Sequence, residues 1–199
     1  YFMCDTPLDT DVGAGPLMNQ DLEEASRLLK EGGYNGETLI LMDPTDIPVL
    51  HGASLVTAQM LRKIGAKVEV QAMDWSTLTS RRAEKKSLAD GGWSIFHTSW
   101  IAPDLLNPVA NIGVSGGGVE KAWFGWPTDA TVEQLRQDFA RETDPAKQKA
   151  LADQVQARAM DVVTYVPIGQ YLSKHAYRED RIAGILKGPV PFFWNVHPK

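Results

Sequence analysis

The sequence predicts an α/β fold, a mixed sheet flanked by helices, and three observations carry that prediction. A short continuous apolar run, Thr38 to Met42, leads into helix-spaced apolar residues and then an alternating segment, Val68 to Ala72. That order makes a βαβ unit with a parallel strand pair. An apolar stretch at Trp93, Ile95 and Phe96 then runs straight into a loop holding Trp100, Pro103, Asp104, Asn107 and Pro108. Two further helical patterns follow, with no internal repeat, which favours one α/β lobe over separate domains.

The elements are justified in order. Tyr1 to Asn19, rich in Asp, Gly and Pro, reads as an extended entry segment. Asp21 to Glu24 forms a capping box, with Asp21 at the N-cap and Glu24 reaching back, and Gly32-Gly33 stops the helix. Thr38 to Met42 reads as a strand buried on both faces. Pro48 suits the first turn of the next helix, whose stripe is Val49, Ala53, Val56, Met60 and Ile64. Val68, Val70 and Ala72 alternate with polar residues as a half-buried strand. A polar helix is predicted around Trp75 to Lys86, its Arg81, Arg82, Lys85 and Lys86 forming a solvated face. Gly113 to Gly118 reads as a flexible surface loop. Val132, Leu135 and Phe139 mark one later helix; Asp144, as N-cap, opens the other. Tyr165 to Leu172 reads as a strand.

Composition narrows the function. The chain has 199 residues, a hydrophobic fraction of 43% and a net charge of −5. That charge gives no electrostatic footprint for nucleic acid. No apolar run approaches the roughly 20 residues needed to span a bilayer. Cys4 is the only cysteine, and the histidines at 51, 97, 175 and 197 have no zinc spacing. No metal and no cofactor is expected. His97, near a strand end, is the one histidine placed to matter. Tyr1 at the start reads as a cut or processed end.

Strand ends that open into aromatic and acidic loops are where α/β proteins hold small ligands. Trp100 and Asp104 offer a flat apolar surface and one carboxylate, which suits a ligand with an apolar body and a positive group. Trp123 and Trp126, with Phe124, form an aromatic cluster between glycines. The candidate ligand-binding residues are therefore Trp100, Asp104, Trp123 and Trp126. Alternatives stay open: Trp100 as an ordinary core residue, and the cluster as an anchor for the glycine loop. Asp104 also suits the N-cap of a short helix over Leu105 to Ala110.

The run ASRLLKEGGY (Ala25 to Tyr34), the strand after it, and MLRKIGAKV (Met60 to Val68) together resemble the oligopeptide and dipeptide-binding proteins, family 5 of the extracellular solute-binding receptors of ABC importers. Asp74-Trp75 is similar to that family's acidic-tryptophan pair. Ser99-Trp100 with Pro108 is similar to its Gly-Trp loop ending in Asp-Pro, and YVPIGQ (Tyr165 to Gln170) with Asn195-Val196 to its closing segment. The resemblance implies a type II periplasmic-binding-protein-like lobe over residues 1–187. It implies a tail, 188–199, that returns to an N-terminal lobe missing here. It implies capture of a small solute, peptide by default, between two lobes in the periplasm, and delivery to ABC permease subunits without chemistry. In peptide-binding members an aspartate three residues after the loop tryptophan pairs with the peptide's α-ammonium. Here Pro103 stands there, the carboxylate is shifted to Asp104, and Asn107 replaces the aspartate before Pro108. That departure opens the cargo class to a modified peptide or an amine-bearing metabolite.

The alternative function is a serine hydrolase, because Gly113-Val114-Ser115-Gly116-Gly117 fits G-x-S-x-G. It lacks a strong strand before it and an amphipathic helix after it. A third possibility is a pocketless protein-interaction module.

Overall fold

A computed structural model describes residues 1–188 and 190–199; Pro189, within the tail, lies outside the described residues. In chain order the elements are α1 (Gly15–Met18), α2 (Leu22–Glu31), β1 (Thr38–Pro44), α3 (Pro48–Lys63), β2 (Lys67–Met73) and α4 (Trp75–Arg81). After them come β3 (Ile95–Phe96), α5 (Gly118–Lys121), α6 (Ala130–Arg141), α7 (Pro145–Val162), β4 (Ile182–Ala183) and β5 (His197–Pro198). Short 3₁₀ turns lie at Leu88–Asp90, Ala102–Leu105 and Ile112–Val114. The chain divides into two compact units, one of residues 16–99 and one of residues 1–15 with 100–199.

In the first unit the apolar run of β1 is buried from Ile40 onward, with Leu41 and Met42 fully inaccessible. β1 lies in the middle of a parallel sheet of order β2-β1-β3, with Leu41 opposite Val70 on one side and Ile95 on the other. Burial alternates along β2 from Lys67 to Val70, as its side chains alternate, and then changes phase: Gln71 is half-buried and Ala72, expected on the covered face, is exposed. Half of the capping box forms. Asp21 accepts from the Glu24 N–H at 2.9 Å, whereas the Glu24 carboxylate turns to Arg27 one helical turn on. The buried face of α3 is Leu50, Ser54 and Ala58, one position away from the predicted stripe; Val49 and Val56 face solvent. The polar helix after β2 ends at Arg81, and its basic residues are not all solvated. Arg81 donates to the Gly91 and Gly92 carbonyls, and the Arg82 guanidinium lies 5.6 Å above Trp75 and 6.0 Å above Phe96.

In the second unit α6 and α7 pack on each other. Asp129 and Asp144 cap them by accepting from the Val132 N–H and from the Ala146 and Lys147 N–H groups. Their core side chains, Phe139, Ala152, Val155 and Ala159, close over Val114 and Phe2. Gln156 is buried at 1% exposure, and its amide donates to the Thr10 and Val12 carbonyls, tying the entry segment to α7. Tyr165 to Leu172, read as a strand from its composition, joins no sheet among the described residues. A strand requires a neighbouring strand for its N–H and C=O groups, and none is paired with this segment among the described residues. Antiparallel pairing joins β4 to β5, where Ala183 faces His197, and recurs as isolated bridges between Gly117 and Thr128 and between Leu186 and Phe192.

Candidate ligand-binding site

The Trp100 loop is built from two local turns. Ile101 precedes a 3₁₀ turn in which the Asp104 N–H donates to the Ile101 carbonyl. The side chain of Asn107 then accepts from the Val109 and Ala110 N–H groups, both at 2.9 Å. Asn107, not Asp104, therefore caps the segment up to Ala110. The Asp104 carboxylate is exposed and has no hydrogen-bond or ion-pair partner among the described residues.

Trp100 is half-buried. Its ring centroid lies 4.7 Å from that of Trp123, the planes inclined by 54°, and 5.5 Å from that of Tyr165, edge on. Trp123 in turn touches Phe124 at 5.1 Å. Tilted and edge-on pairs at these separations are the favoured arrangements of aromatic quadrupoles. Trp126 belongs to the same loop: its N–H donates to the Trp123 carbonyl at 2.8 Å, and its φ of 51° follows a Gly125 φ of 100°. A non-glycine residue held left-handed costs of order 1 kcal/mol or more, so the surroundings hold this turn in place. The structure thus brings Trp100 and Trp123 into contact, sets Trp126 on the Trp123 loop, and puts Asp104 on the Trp100 loop.

Tyr165 is the member of the cluster that the sequence did not offer as a site residue. Its hydroxyl accepts from the Asn111 side chain at 3.2 Å, and burial pushes the phenol up to about 12, so it stays protonated at physiological pH. Tyr165 opens the YVPIGQ segment, but nothing in that motif points to Trp100; only the fold brings the two together.

The Gly113–Gly118 run is not a flexible surface loop. Gly113, Val114, Ser115, Gly116 and Gly118 are buried. A Cβ on Gly113 would stand 2.6 Å from Trp100 Cη2 and 2.8 Å from Tyr165 Cε1, and one on Gly116 would stand 2.5 Å from the Asp129 carbonyl oxygen. The glycines are there because rings and backbone occupy the space a side chain would need. Gly117 bridges Thr128, and the Gly118 N–H donates to the Pro127 carbonyl, so the loop carrying Trp123 is pinched shut at its neck. Ser115 is 3% exposed and donates to Glu133 Oε1 at 2.9 Å. A 3₁₀ turn precedes it and the four-residue α5 follows, in place of the strand and helix a nucleophile elbow needs.

His97 lies in the other unit, at 8% exposure. Ser54 Oγ donates to the Leu50 carbonyl, so it must accept from His97 Nδ1–H at 3.2 Å; Nε2 then accepts from the Thr57 hydroxyl at 3.0 Å. This is a neutral imidazole with both nitrogens used. Burial holds its pKa below the usual value, with a smaller opposing pull from Asp43. The unfolded chain therefore takes up more protons here as pH falls through about 6.5. The stability His97 contributes is complete above that pH and is lost below it, toward the folded pKa. Urea unfolding at about pH 7 and pH 5.5 is expected to show the loss, and His97→Gln to flatten it. His97 is a core histidine, not a ligand-facing one. Asp43 beside it is 2% exposed and meets His51 Nδ1 with both oxygens at 2.9 Å.

Surface hollows of about 670 Å³ and about 660 Å³ lie in the first unit, along α3 and between α2 and Lys63. Neither touches the aromatic cluster. Among the described residues no three His, Cys, Asp or Glu side chains gather as a metal site, and no helix is long and apolar enough to cross a membrane.

Residues 5–123, more than half of the chain, match the family model described as bacterial extracellular solute-binding proteins, family 5 Middle. A protein of Sinorhizobium fredii named as a probable peptide ABC transporter periplasmic-binding protein is 37% identical over 176 residues, which cover 88% of this chain and 33% of that one. A glutathione-binding protein of Pectobacterium atrosepticum is 35% identical over 83 residues, 41% of this chain and 16% of that one. Among solved structures, a periplasmic oligopeptide-binding protein of Borrelia burgdorferi superposes with a TM-score of 0.71 at 18% identity, covering 90% of this chain and 36% of its own. HbpA2 of Haemophilus parasuis gives 0.64 at 20% identity, covering 98% and 40%. The chain thus spans about a third of the length of the first of these relatives. The fold is that of a type II periplasmic-binding-protein lobe, and the chain belongs to family 5 of the bacterial extracellular solute-binding proteins.

Proposed function

We propose that this chain serves as a ligand-binding lobe, residues 1–187, of an extracytoplasmic, periplasmic receptor that captures a peptide or other amine-bearing solute for an ABC importer. The observation that carries this reading is the half-buried Trp100–Trp123 pair beside a loop whose Asp104 carboxylate has no partner among the described residues. Aromatic rings supply apolar area at little entropic cost, and a carboxylate without a protein partner is suited to a cationic group on the ligand. Trp126 is assigned to the same wall. A second lobe, contacted by the tail 188–199, closes the other side of the cleft. Binding across the two favours the closed form, which the membrane permease subunits recognise. No bond is made or broken. The relatives' names, one for peptide and one for glutathione, support solutes with amide backbones and a free amine as the first class to test.

The hydrolase alternative has little support, since Ser115 is buried and its hydroxyl is given to a carboxylate rather than to an imidazole.

The test uses the complete receptor and two probes, trialanine and N-acetyl-trialanine, in titration calorimetry. The free amine is expected to bind at least about tenfold more tightly, and Asp104→Asn to remove that preference, in line with roughly 1.5–3 kcal/mol for a charged hydrogen bond. Equal affinity for both probes, or a preference unchanged in Asp104→Asn, would defeat the assignment of Asp104.

A further inference from the structure

Two loops meet at the Trp100–Trp123 contact, and one face of α6 holds both. Glu133 and Arg136 stand one turn apart, and Arg136 Nη1 donates to Glu133 Oε1 at 2.7 Å. The same carboxylate oxygen accepts from the Ser115 hydroxyl at 2.9 Å and from the Gly116 N–H at 2.8 Å, at the neck of the Trp123 loop. Arg136 Nε donates to the Pro108 carbonyl at 2.9 Å, at the far end of the Trp100 loop. One ion pair is therefore fastened to both loops. The two side chains are only 26% and 15% exposed, so water competes poorly for these bonds. The planar guanidinium can serve the carboxylate and the carbonyl together, in directions fixed by its own geometry; a lysine ammonium is a point charge on a flexible stem and fixes no such directions.

We propose that Glu133 and Arg136 are positioning residues for the aromatic wall: they lock the two loops in register and so set the angle and spacing of Trp100 against Trp123. Neither needs to touch the ligand. Their functional meaning rests on the reading of these two indoles as a ligand wall, and the geometry they impose is measurable without any ligand.

Two indoles at 4.7 Å and 54° couple excitonically and give a couplet in far-ultraviolet circular dichroism, which Trp100→Phe in this chain would assign. Arg136→Lys and Glu133→Ala are each expected to lower the couplet by about twofold or more while the helical signal persists; Glu133→Gln, which keeps the accepting oxygen, is expected to retain it. A role confined to stability would lower the melting temperature and leave the couplet of the folded chain unchanged. An intact couplet in folded Glu133→Ala or Arg136→Lys overturns the proposal, as does a loss in Glu133→Gln equal to that in Glu133→Ala. Should Glu133→Ala not fold, Arg136→Lys decides, because it keeps the charge opposite Glu133. Failure here leaves the solute-binding reading standing, and failure of trialanine to bind the complete receptor leaves the couplet experiment unaffected.

Discussion

Leu41→Ala is expected to destabilise the chain by about 2–5 kcal/mol, read from urea unfolding followed by circular dichroism. Leu41 is fully inaccessible at the middle of β1, between Val70 of β2 and Ile95 of β3. Truncation there removes buried methyl groups and leaves a cavity that a strand bonded on both edges cannot collapse into. The loss is a large share of the 5–15 kcal/mol that ordinarily separates folded from unfolded. Leu28→Ala supplies the contrast. That side chain is 52% exposed on α2, and its removal is expected to change stability by less than about 0.5 kcal/mol. Equal losses at the two positions would mean that β1 is not the centre of the core.

Gly113→Val is the second large effect, and it bears on the site. The α-carbon of Gly113 sits under the rings of Trp100 and Tyr165, where even a methyl group would stand 2.6 and 2.8 Å from carbon atoms of the two rings. Neither ring can step aside freely, since Trp100 also leans on Trp123 and the Tyr165 hydroxyl is held by Asn111. Overpacking of this kind costs about 1–3 kcal/mol and occasionally more. The variant is expected to melt lower and to lose near-ultraviolet dichroism from its indoles. In the complete receptor it is expected to bind trialanine more weakly even at temperatures where it is folded. Unchanged melting and unchanged indole dichroism would show that the ring does not rest on Gly113.

Much of the fold was legible because local chemistry and tertiary structure agree. The run at Thr38, the alternation at Val68 and the aspartates at 21 and 144 sit where periodicity and capping place them. The face of α3 was misjudged by one position for a reason that lies elsewhere in the chain. Its buried stripe includes the polar Ser54, whose partner is His97 on the segment after β3, and hydrophobicity alone selects Val49 and Val56 instead. The glycine run shows the same limit. A string of glycines reads as freedom when their neighbours are unknown, and here it marks close approach by Trp100, Tyr165 and the Asp129 backbone. Of the candidate site, the sequence offered the three tryptophans and Asp104. It did not offer Tyr165, nor the fastening of both loops by α6.

The pinched neck at Gly116 to Gly118 bears on how chains of this family can diversify. Backbone from Asp129 and the side chains of Lys121 and Thr128 fill the space beside those three positions, so almost any replacement there is penalised at once. The tip, Val119 to Trp126, carries the rings and is bounded by that fixed base. Exchange of residues, and even lengthening, is therefore expected to be tolerated at the tip and opposed at the frame beneath it by steric necessity. Under the proposed function, new specificities would arise by drift at the tip, with the fold left untouched.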